Sequence, residues 1–241
     1  MKKSKACTAA LLAAALYPAT SFAENSLTAT ITVASDYMAD GVSATDNKPA
    51  LQGGIDYEHD SGIYAGIWSS NVDNNEKDTP DLELDYAVGF KHALTDNVSY
   101  DIGVTQYTYH TVDHPDHSDY TEWYTGITFM ENTNFYYYYS DDDKVWDGLQ
   151  RRYILTHEQP VTDTVSLLFT AEHLDYEKSI GDDYNAYQAG VNKNWMDTDF
   201  TLSYWHNTIH DGDATTDNRF VLEISKEFDL LDAFGHHKKT D

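Results

Sequence analysis

The stretch Leu51–Val72, LQGGIDYEHDSGIYAGIWSSNV, decides how the rest of the chain is read. In its first segment Leu51, Gly53, Ile55 and Tyr57 alternate with Gln52, Gly54, Asp56 and Glu58, which gives a strand one apolar and one polar face. His59-Asp60-Ser61-Gly62 is turn chemistry, because Asp bonds its own backbone and Gly accepts positive φ. The return segment sets Ile63, Ala65 and Ile67 against Tyr64, Gly66 and Trp68. The unit is a β-hairpin, and the chain repeats it with variations.

Upstream, Lys2, Lys3 and Lys5 precede the short apolar run Ala9–Tyr17 and the small-x-small site Ser21-Phe22-Ala23. This is the pattern of a cleaved secretory signal peptide over 1–23, too short for a spanning helix of about 20 residues. Cys7, the only cysteine, leaves with it, so no disulfide is available for stability. Cleavage removes three lysines and no acids, taking the formal charge from −26 to −29. Binding to nucleic acid phosphates needs basic contacts and is excluded. Aromatics make up 14% of the residues, too many for an acidic disordered chain.

Downstream the alternation continues. Leu82, Leu84, Tyr86, Val88 and Phe90 oppose Glu83, Asp85, Ala87, Gly89 and Lys91; Trp123 and Ile127 oppose Glu122, Tyr124 and Gly126. Phe220, Leu222, Ile224 and Phe228 oppose Arg219, Glu223, Ser225 and Glu227. Twelve strands are predicted, the first over 27–37 and the last ending at Phe228. Short turns at 59–62, 92–97, 130–134, 159–164 and 195–199 alternate with longer acidic links at 38–49, 72–81, 110–119, 141–149, 174–183 and 207–218. A sandwich has no reason to keep that order. A transmembrane antiparallel up-and-down β-barrel does, with short periplasmic turns and longer extracellular loops. Closure follows from hydrocarbon, where an open sheet would leave two unpaired edges. The predicted layout is therefore a signal peptide over 1–23, an all-β outer-membrane barrel over 24–228 and a polar tail over 229–241. Tyr37, Trp68, Tyr100, Trp123, Trp195 and Tyr204 are expected in the interfacial girdles, where amphipathic rings sit at the headgroups.

The segments Ser35-Asp36-Tyr37, Gly41-Val42-Ser43, Pro49–Tyr57 and Gly62–Val72, with Glu83-Leu84-Asp85 and Asp119–Glu122, resemble the TorF-type porin family of bacterial outer-membrane proteins. The resemblance implies a barrel and solute passage, and it transfers no catalytic residue. It departs at the end, where 13 residues follow Phe228 although such barrels commonly finish on an aromatic.

The expected pore lining is Asp56, Glu58, Glu83, Asp85, Lys91, Asp101, Glu122, Arg152, Glu172, Arg219 and Glu223, with Glu227 beyond them. Acids outnumber bases, so cations are favoured unless protons or bound ions neutralise the ring. His110, His114 and His117 with Asp113 and Asp116 form a metal-capable loop, although Pro115 makes it a surface turn and a solvated loop is the alternative. The acids of 141–143, 182–183, Asp211 and Asp213 do not match a twelve-residue calcium loop. No nucleophile motif is present, and neither an enzyme nor a cofactor is expected. The expectation is a diffusion channel for small polar solutes, with cationic ones preferred, in contact with outer-membrane lipid and lipopolysaccharide. The alternative is a non-conducting barrel for adhesion, surface binding or metal binding.

Overall fold

The computed structural model describes residues 25–73, 81–110, 119–141, 149–176, 182–210 and 212–233. In chain order the strands are β1 (Ser26–Ala34), β2 (Met38–Ala39), β3 (Val42–Ser43), β4 (Ala50–Glu58), β5 (Ile63–Val72), β6 (Asp81–Thr95) and β7 (Val98–His110). They continue with β8 (Tyr120–Phe129), β9 (Thr133–Ser140), β10 (Gln150–Thr162), β11 (Val165–Tyr176), β12 (Tyr184–Asn194), β13 (Asp199–Asn207) and β14 (Arg219–Asp229). Twelve of them form one closed antiparallel barrel, and β1 completes it by pairing with both β4 and β14. Short connections gather at one end, the turn end, and long ones at the other, the loop end. No helix among the described residues is long and apolar enough to cross a membrane, which says nothing of strands.

The wall obeys the alternation. Among the described residues thirty large apolar side chains are exposed, among them Ile31, Val88, Ile102 and Phe220. Such an outer face exceeds what a water-soluble surface carries and suits lipid. Trp123, Trp195 and Tyr204 lie on that face.

Three differences from the sequence reading have local causes. β10 runs past Pro160 with a register shift before Thr162, so the turn predicted over 159–164 shrinks to 163–164. A proline that cannot donate is tolerated at such an irregularity. The expected polar tail begins with a helical turn, α1 (Leu230–Ala233), whose half-buried Leu230 and Leu231 give it apolar surface to cover. Most important, β1 stops at Ala34. The chain then turns into the barrel, where β2 and β3 form a hairpin of their own. Its turn is Asp40-Gly41, with φ of 51° and 74°, the geometry that two-residue hairpin turns require. A Cβ at Gly41 would collide with Ala186 on the opposite wall, so glycine is needed there twice over.

Tyr37, expected in a girdle, is 5% exposed inside the barrel, and Trp68 packs against it with ring centroids 5.4 Å apart. β1 ends three residues short of the predicted strand, which carries Tyr37 into the lumen, and Trp68 holds an inward position on β5. The hairpin builds the protein's core within the lumen: Tyr37 and Ala39 pack with Ala34, Ala50, Val72, Tyr107, Tyr109 and Tyr120.

Candidate functional site: the lumen

At the level of the hairpin every barrel strand contributes an inward side chain no more than 3% exposed, from Ala34 on β1 to Val221 on β14. The lumen is therefore packed in its loop-end half. Polar contacts pin the hairpin from several sides. Arg152 on β10 donates from Nη1 to Asp40 Oδ1 (2.5 Å), from Nε to Glu122 Oε1 (3.1 Å) and from Nη2 to Glu122 Oε2 (2.5 Å). All three side chains are 1% exposed. Tyr107 donates to Glu122 (3.1 Å) and Tyr109 to Glu83 (2.7 Å). Asp36 accepts from Ser43 (2.6 Å), Thr45 (2.9 Å) and Arg219 (2.6 Å). Arg219 also reaches Asn47 and the carbonyl of Ala214, and Asn207 donates to the Gly41 carbonyl (2.8 Å). At the rim Lys48 pairs with Asp73 (2.6 Å) and Asp46 (3.3 Å), and the Asp73 carboxylate, then Asp46, hold the ammonium pKa above the ordinary lysine range.

The turn-end half is built differently. Gly66, Gly89, Gly103 and Gly126 occupy inward positions on neighbouring strands β5 to β8. A Cβ at Gly89, Gly103 or Gly126 would overlap the ring of Tyr64, Tyr124 or Tyr136 respectively. The phenol ends of Tyr64 and Tyr124 and the ring of Tyr136 thus lie against bare backbone. Their hydroxyls converge: Tyr64 donates to Asp101 Oδ1 (2.7 Å), Tyr136 to Asp101 Oδ2 (2.9 Å), and Tyr64 and Tyr124 bond each other. Tyr138 continues the patch, with centroids 5.6 Å from Tyr124 and 5.9 Å from Tyr136, and carries the Arg152 guanidinium 4.6 Å above its ring.

All eleven residues expected in the pore lining hold inward positions, but they do not share one surface. Glu83, Asp85, Glu122, Arg152 and Glu172 are covered, because the 35–49 segment folds over them. Arg219 clamps that segment near the rim. Asp56 and Glu58 are exposed in the turn-end half, Lys91 and Glu223 are half-buried, and Asp101 lies under the tyrosines. His110 ends β7 and points outward beside Thr108 (3.4 Å), while His114 and His117 fall outside the described residues. Among the described residues no three His, Cys, Asp or Glu side chains are grouped to hold a metal. Sequence reasoning missed Asp36, Asp40 and the tyrosine patch. Asp40-Gly41, a strong two-residue turn signal between Met38-Ala39 and Val42-Ser43, was the available cue for the hairpin.

A closed twelve-stranded antiparallel barrel with an apolar outer wall and a charged interior is a transmembrane β-barrel. The chain belongs to the Gcw_chp family, described as bacterial protein of unknown function, whose pattern matches residues 18–230. No curated protein matches the sequence. Among solved structures the fold is similar to the KdgM porin in complex with disordered oligogalacturonate, with TM-score 0.54 and 7% identity over 84% of this chain and 99% of that one. It is also similar to the NanC porin, with TM-score 0.52 and 9% identity over 83% and 97%. A third likeness is to the COG4313 outer membrane channel from Pseudomonas putida F1, with TM-score 0.50 and 10% identity over 88% and 98%.

Proposed function

We propose that this protein is an outer-membrane channel for small polar solutes, that it prefers cations, and that the 35–49 hairpin occludes it in the conformation described. The observation that carries the reading is a closed barrel with lipid-suited outside and an interior in which acids outnumber bases. Low-dielectric walls strengthen such a field and draw cations from solution. The fold shared with porins supports a channel over an enzyme, and the TorF-type resemblance points the same way. Oligogalacturonate, the ligand of the KdgM complex, is a polyanion; an acid-rich lumen repels it, so a different solute is expected here. The turn end faces the periplasm, and the apolar band and its aromatic rims contact outer-membrane lipid and lipopolysaccharide.

The packed loop-end half is the observation that favours the second reading, a non-conducting barrel that binds at the surface. Planar bilayers separate the two. Refolded wild type and a variant with residues 38–47 replaced by a short Gly-Ser linker are compared under a salt gradient. A channel gives steps that are rare in wild type, frequent in the variant and cation-selective in both. Absence of steps from both proteins, each verified as a folded barrel, overturns the channel.

A further inference from the structure

The tyrosine patch in the turn-end half presents an unused recognition surface. The phenol ends of Tyr64 and Tyr124 and the ring of Tyr136 lie over glycines, and all three side chains hold inward positions and stay half-buried, so part of each meets the lumen. The three hydroxyls are already committed to Asp101 and to one another, and little donor capacity remains for a neutral, hydroxyl-rich solute such as a sugar. What the patch offers is π density and net negative charge: Asp56, Glu58 and Asp101 stand against one inward cation, Lys91, which pairs with Asp101 across β6 and β7. Glu58 pairs directly with Tyr64 across β4 and β5, and Asp56 lies two residues along the same inward face. Both carboxylates are exposed, and among the described residues neither forms a salt bridge. The protein itself demonstrates the chemistry one step up the wall, where Arg152 sits over Tyr138 in the same ring cluster.

The geometry points to a binding subsite for organic cations, of the alkylammonium or guanidinium class, on the lumenal faces of Tyr64, Tyr124 and Tyr136 with Asp56 and Glu58 as counter-charges. The assignment rests on the reading of the lumen as a solute route and names the solute class. A cation over an aromatic face is attracted by the ring quadrupole, and the attraction strengthens where water is partly excluded. Neighbouring rings let the cation move from face to face without being held by a fixed hydrogen-bond geometry, which suits passage.

Equilibrium binding tests this without requiring conductance. Benzyltrimethylammonium is titrated calorimetrically into the full barrel refolded in detergent, with maltotriose as the neutral control. Saturable binding of the ammonium is expected, weakened about tenfold by Tyr124→Leu and by the double change Asp56→Asn with Glu58→Gln. Tyr124→Phe keeps the face and loses the hydroxyl, so it retains binding and separates recognition from loss of fold. Tyr187→Leu, on the outer wall, leaves binding unchanged. No saturable binding, equal losses in Tyr124→Phe and Tyr124→Leu, or maltotriose binding with the same dependence each overturn the subsite. A barrel that conducts cations but binds none of the probe overturns it while sparing the channel.

Discussion

Arg152→Met is the most informative single change, because Arg152 ties the hairpin to the wall. Its guanidinium makes one bond to Asp40 and two to Glu122, with all three side chains 1% exposed. Methionine matches much of the volume and none of the charge, leaving two buried carboxylates facing each other without their cation. Removing one partner of a buried pair typically costs about 3–5 kcal/mol, far more than the pair itself contributes over an apolar replacement. That is about two to three and a half decades in an equilibrium constant. The loss is to be read in two ways on protein refolded into vesicles. Urea titration followed by tryptophan emission reports the whole barrel, and acrylamide quenching in a background that keeps Trp68 and carries Phe at the other four tryptophans reports Trp68, which loses its Tyr37 neighbour if the hairpin leaves. The triple variant Arg152→Met, Asp40→Asn, Glu122→Gln removes the stranded charges and recovers most of the loss. Arg152→Lys keeps the charge without the fork and falls between. A single Met variant within about 1 kcal/mol of wild type, with Trp68 quenching unchanged, would refute the claim that this network holds the hairpin.

Three further outcomes are expected. Gly103→Ala would place a methyl on the Tyr124 hydroxyl and 2.8 Å from the Val88 carbonyl oxygen, so the ring must lift; the cost is about 1–3 kcal/mol, measured as a lower urea midpoint. Val88→Arg puts a charge on the outer wall near mid-height and costs about 2–4 kcal/mol in bilayers; a negligible effect there would remove the membrane assignment. Neutralising Asp56, Glu58 and Glu227 in the hairpin-deleted barrel moves the reversal potential toward zero, whereas an unmoved potential would show that selectivity arises elsewhere.

Lipid-facing strands must alternate and must close, since hydrocarbon tolerates neither exposed polar side chains nor unpaired backbone. That constraint acts residue by residue, and it made the strand count, the inward and outward faces and the alternation of short and long connections legible from the chain alone. Even the inward acids were found by parity. Three things were decided only in the tertiary structure. One is where the 35–49 segment goes: its anchors are Arg152, 112 residues from Asp40, and Arg219, 183 residues from Asp36, and no local pattern carries partners so distant. Another is which inward charges meet water, since that depends on the hairpin covering Glu83, Asp85 and Glu172 while leaving Asp56 and Glu58 open. The last is the tyrosine patch. Gly103 and Tyr124 each look ordinary in a strand, and only the register between β7 and β8 sets them side by side. Sequence by itself determined the wall, because the solvent on each side acts on every residue separately. The filling of the lumen was left to the folded chain, because it depends on pairs that only the register brings together.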